Sequence, residues 1–372
     1  MAAHAIGPES LKPDCRWFKG WAPCRPHKEH GVHCTEADGT ACGSYDRISE
    51  RILIIKLGAI GDVIRTTPLI HAFKRLHPGA QLWWLTLTPD VLPHQVDVPL
   101  PFTVQSIATL AGMQFDILVN LDKDREACGL AATINARIKK GFTLRDGVPA
   151  PADDDAGHKY MTGLFDDLNR ANAKTYLEET FEICGFRFGG EPYILDAQAD
   201  RGYRWKLPKS KPLIGLNTGC GGRWSTRLWP EKNWIGLARR LKRSGMTPLL
   251  LGGEQEHERN RRVARRSGAL YPGHFPLPQF INLVDQCDLV VTAVTMAMHV
   301  TIGLRKKIVL FNNIFNRHEF ELYGLGTILE PDPACTCFFA PECTAPGRSP
   351  HGCMADIPVA SVLTAVKTLV AS

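Results

Sequence analysis

Residues 51–70 read RILIIKLGAIGDVIRTTPLI, and the organisation of the chain turns on them. Ile52 to Ile55 are apolar, without polar alternation and too few for a helix, which predicts a strand buried on both faces. Gly58 and Gly61 bracket a tight loop. From Asp62 onward, Val63, Ile64, Leu69, Ile70 and Phe73 fall at helical spacing until His77-Pro78-Gly79 ends the run. Strand, glycine loop and helix in that order open an α/β domain. Such a junction offers backbone amides and the positive end of a helix to a polar ligand. Asp62 stands there, either as a helix cap or as the group that takes a proton from an incoming hydroxyl. It is not the dinucleotide fingerprint, which needs a third glycine.

Outward from this stretch, strands are expected at 81–87, 115–121 and 137–144, with helices near 123–134 and 175–184. Asp122-Lys123-Asp124-Arg125 follows the 115–121 strand, at the end where open α/β sheets bind ligands or where a solvated helix starts. The polar stretch 196–211 reads as a linker. Beyond it the alternation resumes, with strands at 212–216, 248–251, 288–292 and 307–311 and helices at 231–244, 255–267 and 296–304. The expected organisation is α/β, with a small unit at 1–47, two doubly wound domains at 48–200 and 201–356 facing a cleft, and a closing helix at 357–372.

The 372 residues are 44% hydrophobic and 22% charged, ordinary for a globular chain. A net charge of +6 suits anionic ligands but is too small and too dispersed for nucleic acid. No apolar run reaches the ~20 residues of a membrane span, and residues 1–14 lack a signal-peptide core, so a cytoplasmic location is expected. Arg259, Arg261, Arg262, Arg265 and Arg266 form a basic run that is either a solvated helix face or a peripheral contact with an anionic inner-membrane surface.

The 12 cysteines fall in two groups and a scatter. Cys15, Cys24, Cys34 and Cys42, with His27, His30 and His33 between them, lie in a unit with too few aliphatic residues for a core of its own. Cys335, Cys337, Cys343 and Cys353 lie in a Pro- and Gly-rich stretch that a metal would order. Clustered thiols in a reducing compartment point to metal, zinc first and iron or an iron–sulfur cluster second, against reduced structural thiols.

Three junctions in the second half repeat a pattern. Asn217-Thr218-Gly219-Cys220-Gly221-Gly222, with Arg223 and Arg227 after it, offers amides and positive charge to a diphosphate. Gly252-Gly253-Glu254 places a carboxylate where it would accept both hydroxyls of a ribose. Thr295 to His299 opens a helix toward the cleft. Alone, each reads equally as a turn, a cap or a core histidine; together they favour a nucleotide-diphosphate site.

These motifs resemble, over residues 51–372, the heptosyltransferases of glycosyltransferase family nine, whose fold is GT-B. The resemblance implies Asp62 as catalytic base, Lys123 and Arg125 near the acceptor, and Arg227 on the donor diphosphate. It implies Glu254 on the ribose and Thr295 and His299 on the donor phosphates. The family's aspartate before that threonine is Val294 here and its following glycine is Met296; Glu319 or Glu321 would have to compensate. A related branch, the autotransporter heptosyltransferases, carries iron on four cysteines.

The expected reaction is inverting glycosyl transfer from a nucleotide-diphosphate sugar, ADP-heptose first, to a hydroxyl on lipopolysaccharide core, protein or a small metabolite. No catalytic metal is expected; burial of Asp62 on closure should raise its basicity, and any metals should be structural and remote from the cleft. The rival readings are a zinc or iron–sulfur redox or sensor protein, and a sugar-nucleotide binding protein or isomerase on the same scaffold.

Overall fold

The computed structural model describes residues 7–36, 38–195, 202–208, 211–222, 224–343 and 352–371. The N-terminal unit holds a 3₁₀ turn at Pro8–Ser10, the short helix α1 (Arg25–His30) and two isolated antiparallel bridges, Cys15 with Arg47 and Thr35 with Ala41. Arg16 fastens it to the next domain, donating to Asp97 Oδ1 at 2.8 Å and to the carbonyls of Gly79 and Ala80 at 3.3 and 3.2 Å.

The first sheet is built from β1 (Arg51–Ile55), β2 (Gln81–Thr86), β3 (Val98–Pro101), β4 (Gln114–Asn120), β5 (Asn135–Arg145) and β6 (Val148–Pro151), in the order β3-β2-β1-β4-β5-β6. All neighbours are parallel except β6, which returns antiparallel along β5. Helices α2 (Ile60–Thr66), α3 (Leu69–Leu76), α4 (Val104–Ala111) and α5 (Arg125–Thr133) connect these strands, and α6 (Gly157–Thr162), α7 (Asp166–Ala171) and α8 (Tyr176–Ile183) follow. The expected helix after the glycine loop is two. Pro68 has no N–H for the carbonyl of Ile64, which takes the Thr67 amide at 3.2 Å instead, and the chain restarts as α3. Strand β3, sequence VPLP, escapes a reading by alternation because of its two prolines; it is the sheet edge, where proline costs no ladder bond.

The second sheet contains β7 (Leu213–Asn217), β8 (Thr247–Leu251), β9 (Leu289–Ala293), β10 (Lys307–Phe311) and β11 (Gly326–Leu329), ordered β11-β10-β9-β7-β8 and parallel throughout. Its helices are α9 (Glu231–Arg243), α10 (His257–Ser267), α11 (Leu277–Asp285), α12 (Met296–Gly303) and α13 (Val359–Ala371). Val362 and Val366 of α13 are fully buried in the core cluster of Trp229, Trp234 and Phe311.

Both sheets change winding direction once, between β1 and β4 in the first and between β7 and β9 in the second, which is where α/β sheets open a crevice at their carboxyl ends. The halves meet through α2 and α12, within one core cluster that includes Ile64, Ala297 and Val300. Gly61 permits this approach: a Cβ there would stand 2.5 Å from His299 Cδ2. No helix among the described residues is long and apolar enough to cross a membrane.

Candidate active site in the interdomain cleft

The two crevices face one cleft of about 870 Å³, lined by Asp62 and Arg65 on one side and by Asn217, Gly219, Arg227, Glu254, Thr295 and His299 on the other. Asp62 is the third residue of α2. Its Oδ2 accepts from the Ala59 amide at 3.2 Å, so it caps its helix, and its Oδ1 pairs with Arg65 at 2.9 Å. The side chain remains a third exposed, open to the cleft. The capping and functional readings therefore describe one placement. Burial alone would raise the Asp62 carboxyl, but Arg65 and then Lys56 outweigh it and hold it below the usual carboxylate range. Burial therefore acts in the expected direction, and the two cations reverse its effect.

Beneath Asp62 lies a buried ion pair. Lys56 Nζ donates to Asp122 Oδ1, and the amide of Leu57 donates to Asp122 Oδ2, locking the ends of β1 and β4 together. Arg65 continues the network across the gap, with Nη1 on Glu319 Oε1 at 2.8 Å and its guanidinium 3.3 Å from the Tyr176 ring centroid. Glu319 thus reaches the cleft, whereas Glu321 turns back to the Tyr323 amide at 2.5 Å.

The donor-side wall is built differently. Arg227 is largely buried and gives Nη1 to the carbonyl of Val294 and Nη2 to that of Cys220 at 2.9 Å. Its buried Nε has no hydrogen-bond partner, and no carboxylate among the described residues pairs with it. Burial lowers its pKa, because a charge taken from water without an opposite charge beside it is disfavoured. Asn217 Nδ2 reaches Thr292 Oγ1 at 3.0 Å and Thr295 Oγ1 at 3.3 Å, fixing the start of α12 against the end of β7. His299 is buried at the α2 contact, stacked on Tyr193, and pushed down to about 3 by burial and then by Arg65, so it is neutral at ordinary pH.

Other expected residues fall elsewhere. Thr218 is buried, its hydroxyl 2.6 Å from Asn260 Oδ1, and is not among the cleft-lining residues; it shapes the loop instead. Arg223 lies outside the described residues. Glu254 is exposed at the rim, while Glu256, two residues on, is buried, accepts from the Gly253 amide at 2.9 Å and presses on Gly219, where a Cβ would stand 2.1 Å from its Oε1. Lys123 lines a second cavity of about 170 Å³ with Lys56, Arg65, Lys159 and Tyr176; burial and then Lys159 lower its pKa. Arg125 is exposed on the first turn of α5 and lines neither cavity. Sequence reasoning missed the aromatic wall of Trp224, Phe315 and Phe339, whose members are far apart in the chain and meet edge to face.

Among the described residues no cysteine is in a disulfide. Cys15, Cys24, Cys34 and Cys42 line one small cavity of about 20 Å³ together with His33. In the C-terminal group, Cys337 Sγ stands 3.7 Å from Cys343 Sγ, the Cys337 amide donates to Cys335 Sγ at 3.4 Å, and a hydrogen bond with Cys353, then burial, pushes the Cys335 thiol up. Among the described residues no three Cys, His, Asp or Glu side chains are already arranged around a metal position. Nor is the C-terminal group remote from the cleft: Phe339, two residues beyond Cys337, lines it.

Two doubly wound α/β domains sharing a cleft are the architecture of the GT-B class. The family model of glycosyltransferase family 9 (heptosyltransferase) matches residues 107–314, more than half of the chain, and the chain belongs to that family. Among solved structures it is similar to the family 9 glycosyltransferase of Veillonella parvula, at 19% identity and TM-score 0.64 over 87% of this chain and 98% of that one. It is also similar to the ADP-heptose lipopolysaccharide heptosyltransferase II of E. coli, at 16% identity and TM-score 0.62 over 86% of this chain and 98% of that one. A third similar structure is the iron-containing dodecameric glycosyltransferase TibC of enterotoxigenic E. coli, at 15% identity and TM-score 0.54 over 87% of this chain and 77% of that one. No curated protein matches the chain in sequence.

Proposed function

We propose that this glycosyltransferase moves a sugar, heptose first, from a nucleotide diphosphate to a hydroxyl acceptor with inversion, Asp62 acting as general base. The observation that carries the reading is the cleft itself: a carboxylate one-third exposed on one wall and, on the other, Arg227 with no carboxylate partner among the described residues. In the reaction the acceptor oxygen attacks the anomeric carbon as Asp62 takes its proton. The bond to the diphosphate oxygen breaks with its electron pair, and the leaving group is received by Arg227 and the amides opening α12. Glu254 at the rim is the candidate for the ribose, and Gly219, Thr295 and His299 surround the phosphates. Lys123, in its own basic cavity, is the candidate for the acceptor side. The family supports ADP-heptose as the first donor to try, although Val294 offers no carboxylate to the sugar.

Donor choice is tested by a thermal-shift screen of nucleotide sugars, followed by mass spectrometry of the product with lipopolysaccharide core, protein and small-molecule acceptors. Asp62→Asn should lower turnover by about 10²–10⁴-fold while nucleotide-sugar binding persists. Near-normal turnover would remove Asp62 from the mechanism. Cytoplasmic action belongs to the same proposal and is checked by cell fractionation.

The C-terminal cysteines are proposed to hold a structural zinc or iron. The spacing of Cys337 and Cys343, 3.7 Å, supports this; thiolates about 2.3 Å from a tetrahedral ion would stand about 3.8 Å apart. The N-terminal thiols are the second candidate set. Metal analysis of the purified protein, with Cys337→Ser and Cys34→Ser as separate variants, tells whether neither, one or both groups load; a metal-free wild type would end this part of the reading.

A further inference from the structure

Arg65 is shared. Its Nη2 grips Asp62 one helical turn away on α2, a pair the acceptor half makes by itself, and its Nη1 grips Glu319, which arrives from the donor half. The Tyr176 ring covers the guanidinium face, and the buried Nε has no hydrogen-bond partner. Arg65 therefore divides its hold between two carboxylates. The segment that delivers Glu319 follows β10 and crosses to the acceptor half at two further points. Asn316 Nδ2 donates to the carbonyls of Asn169 and Asn172 at 2.6 and 2.7 Å, and Tyr323 donates its hydroxyl to the Glu191 carbonyl at 2.8 Å. Separating the halves removes Glu319 from Arg65 but leaves Asp62 paired.

We propose that Glu319 is a positioning residue: by holding the other end of Arg65 across the cleft, it weakens the hold of Arg65 on Asp62, still paired at 2.9 Å in the free protein, so that an arriving acceptor hydroxyl displaces Arg65 from Oδ1 more readily. Oδ2 is already committed to the Ala59 amide, so the oxygen released from Arg65 is the one the reaction needs. Readiness of the base is thereby tied to contact between the halves. The groups facing Asp62 are Lys56 at the end of β1, Arg65 on α2, Tyr193 ahead of the linker and His299 on α12, with Tyr176 on α8 covering Arg65. Of these, Arg65 alone is shared with Glu319 by an ion pair. The proposal rests on Asp62 as the base, but the sharing can be measured without substrate.

The experiment is a double-mutant cycle of Asp62→Asn and Glu319→Gln in denaturant unfolding of the full chain, repeated across acid pH. With Glu319 neutralised, Arg65 holds Asp62 alone. Asp62→Asn should then raise the unfolding constant at least about threefold more than it does in the wild type. The pH at which the Asp62 contribution disappears should move lower by about half a unit, the equivalent of that factor. Asn316→Ala, which cuts the neighbouring cross-link only, should lower stability without moving that pH, and Glu319→Asp should restore wild-type behaviour. Additive effects with an unchanged acid limb would overturn the proposal. Should Asp62→Asn keep full transferase activity, the base assignment fails instead, whatever the cycle shows.

Discussion

The two walls of the cleft solve opposite problems. On the acceptor side the two cations that hold Asp62 are ion-paired within the protein: Lys56 with Asp122, and Arg65 with Asp62 and Glu319. On the donor side the half-buried Arg227 has two carbonyls and, among the described residues, no carboxylate. A base must be held in place before substrate arrives, so the ion pairs around it are already made in the free protein. A site for a departing diphosphate does better with a charge deficit, because the ligand supplies the missing anion.

Breaking the acceptor wall should therefore cost stability, and breaking the donor wall should cost binding. Lys56→Met strands Asp122 in a buried position, and denaturant unfolding should show a loss of about 3–5 kcal/mol. A loss under 1 kcal/mol would mean the pair is not the anchor of this wall. Arg227→Met should leave stability nearly unchanged and weaken nucleotide-diphosphate affinity by about 1.5–3 kcal/mol, roughly 10- to 150-fold by calorimetry. Equal affinity would place the diphosphate elsewhere.

His299, at the seam of the two walls, sharpens the contrast through pH. Its folded value of about 3 lies below its usual 6.5, so below pH 6.5 the unfolded chain binds the extra proton and stability falls with pH by up to about 1.4 kcal/mol per unit. His299→Gln should flatten that slope in acid-unfolding curves. The smallest effect is expected on α10, where Arg262 pairs with Glu231 at 2.9 Å while Arg265 and Arg266 are exposed. Arg265→Gln with Arg266→Gln should change stability by less than about 0.5 kcal/mol. Binding to anionic vesicles that these changes abolish would instead establish a membrane contact.

Much of this molecule was legible because its strands are short apolar runs punctuated by glycine. Ile52 to Ile55, Leu289 to Ala293 and Lys307 to Phe311 needed no tertiary information. Helix α11, LPQFINLVD, went unread because it has no polar N-cap and opens on prolines. The same limit applied to the site. Glycine loops at strand ends marked Asp62 and Gly219, but nothing local separates Glu254 at the rim from the buried Glu256, or Thr218 turned inward from Thr295 lining the cleft.

The sequence by itself determined two parallel α/β halves and the loops on which their ligands fall, because apolar periodicity and glycine act over a few residues. Only the tertiary structure decided that Arg65 answers to Glu319, that Gly61 admits His299 and that Arg227 meets no carboxylate among the described residues. Those facts are distances between residues up to 254 positions apart in the chain, and a charge acquires its meaning from what stands within a few ångströms of it.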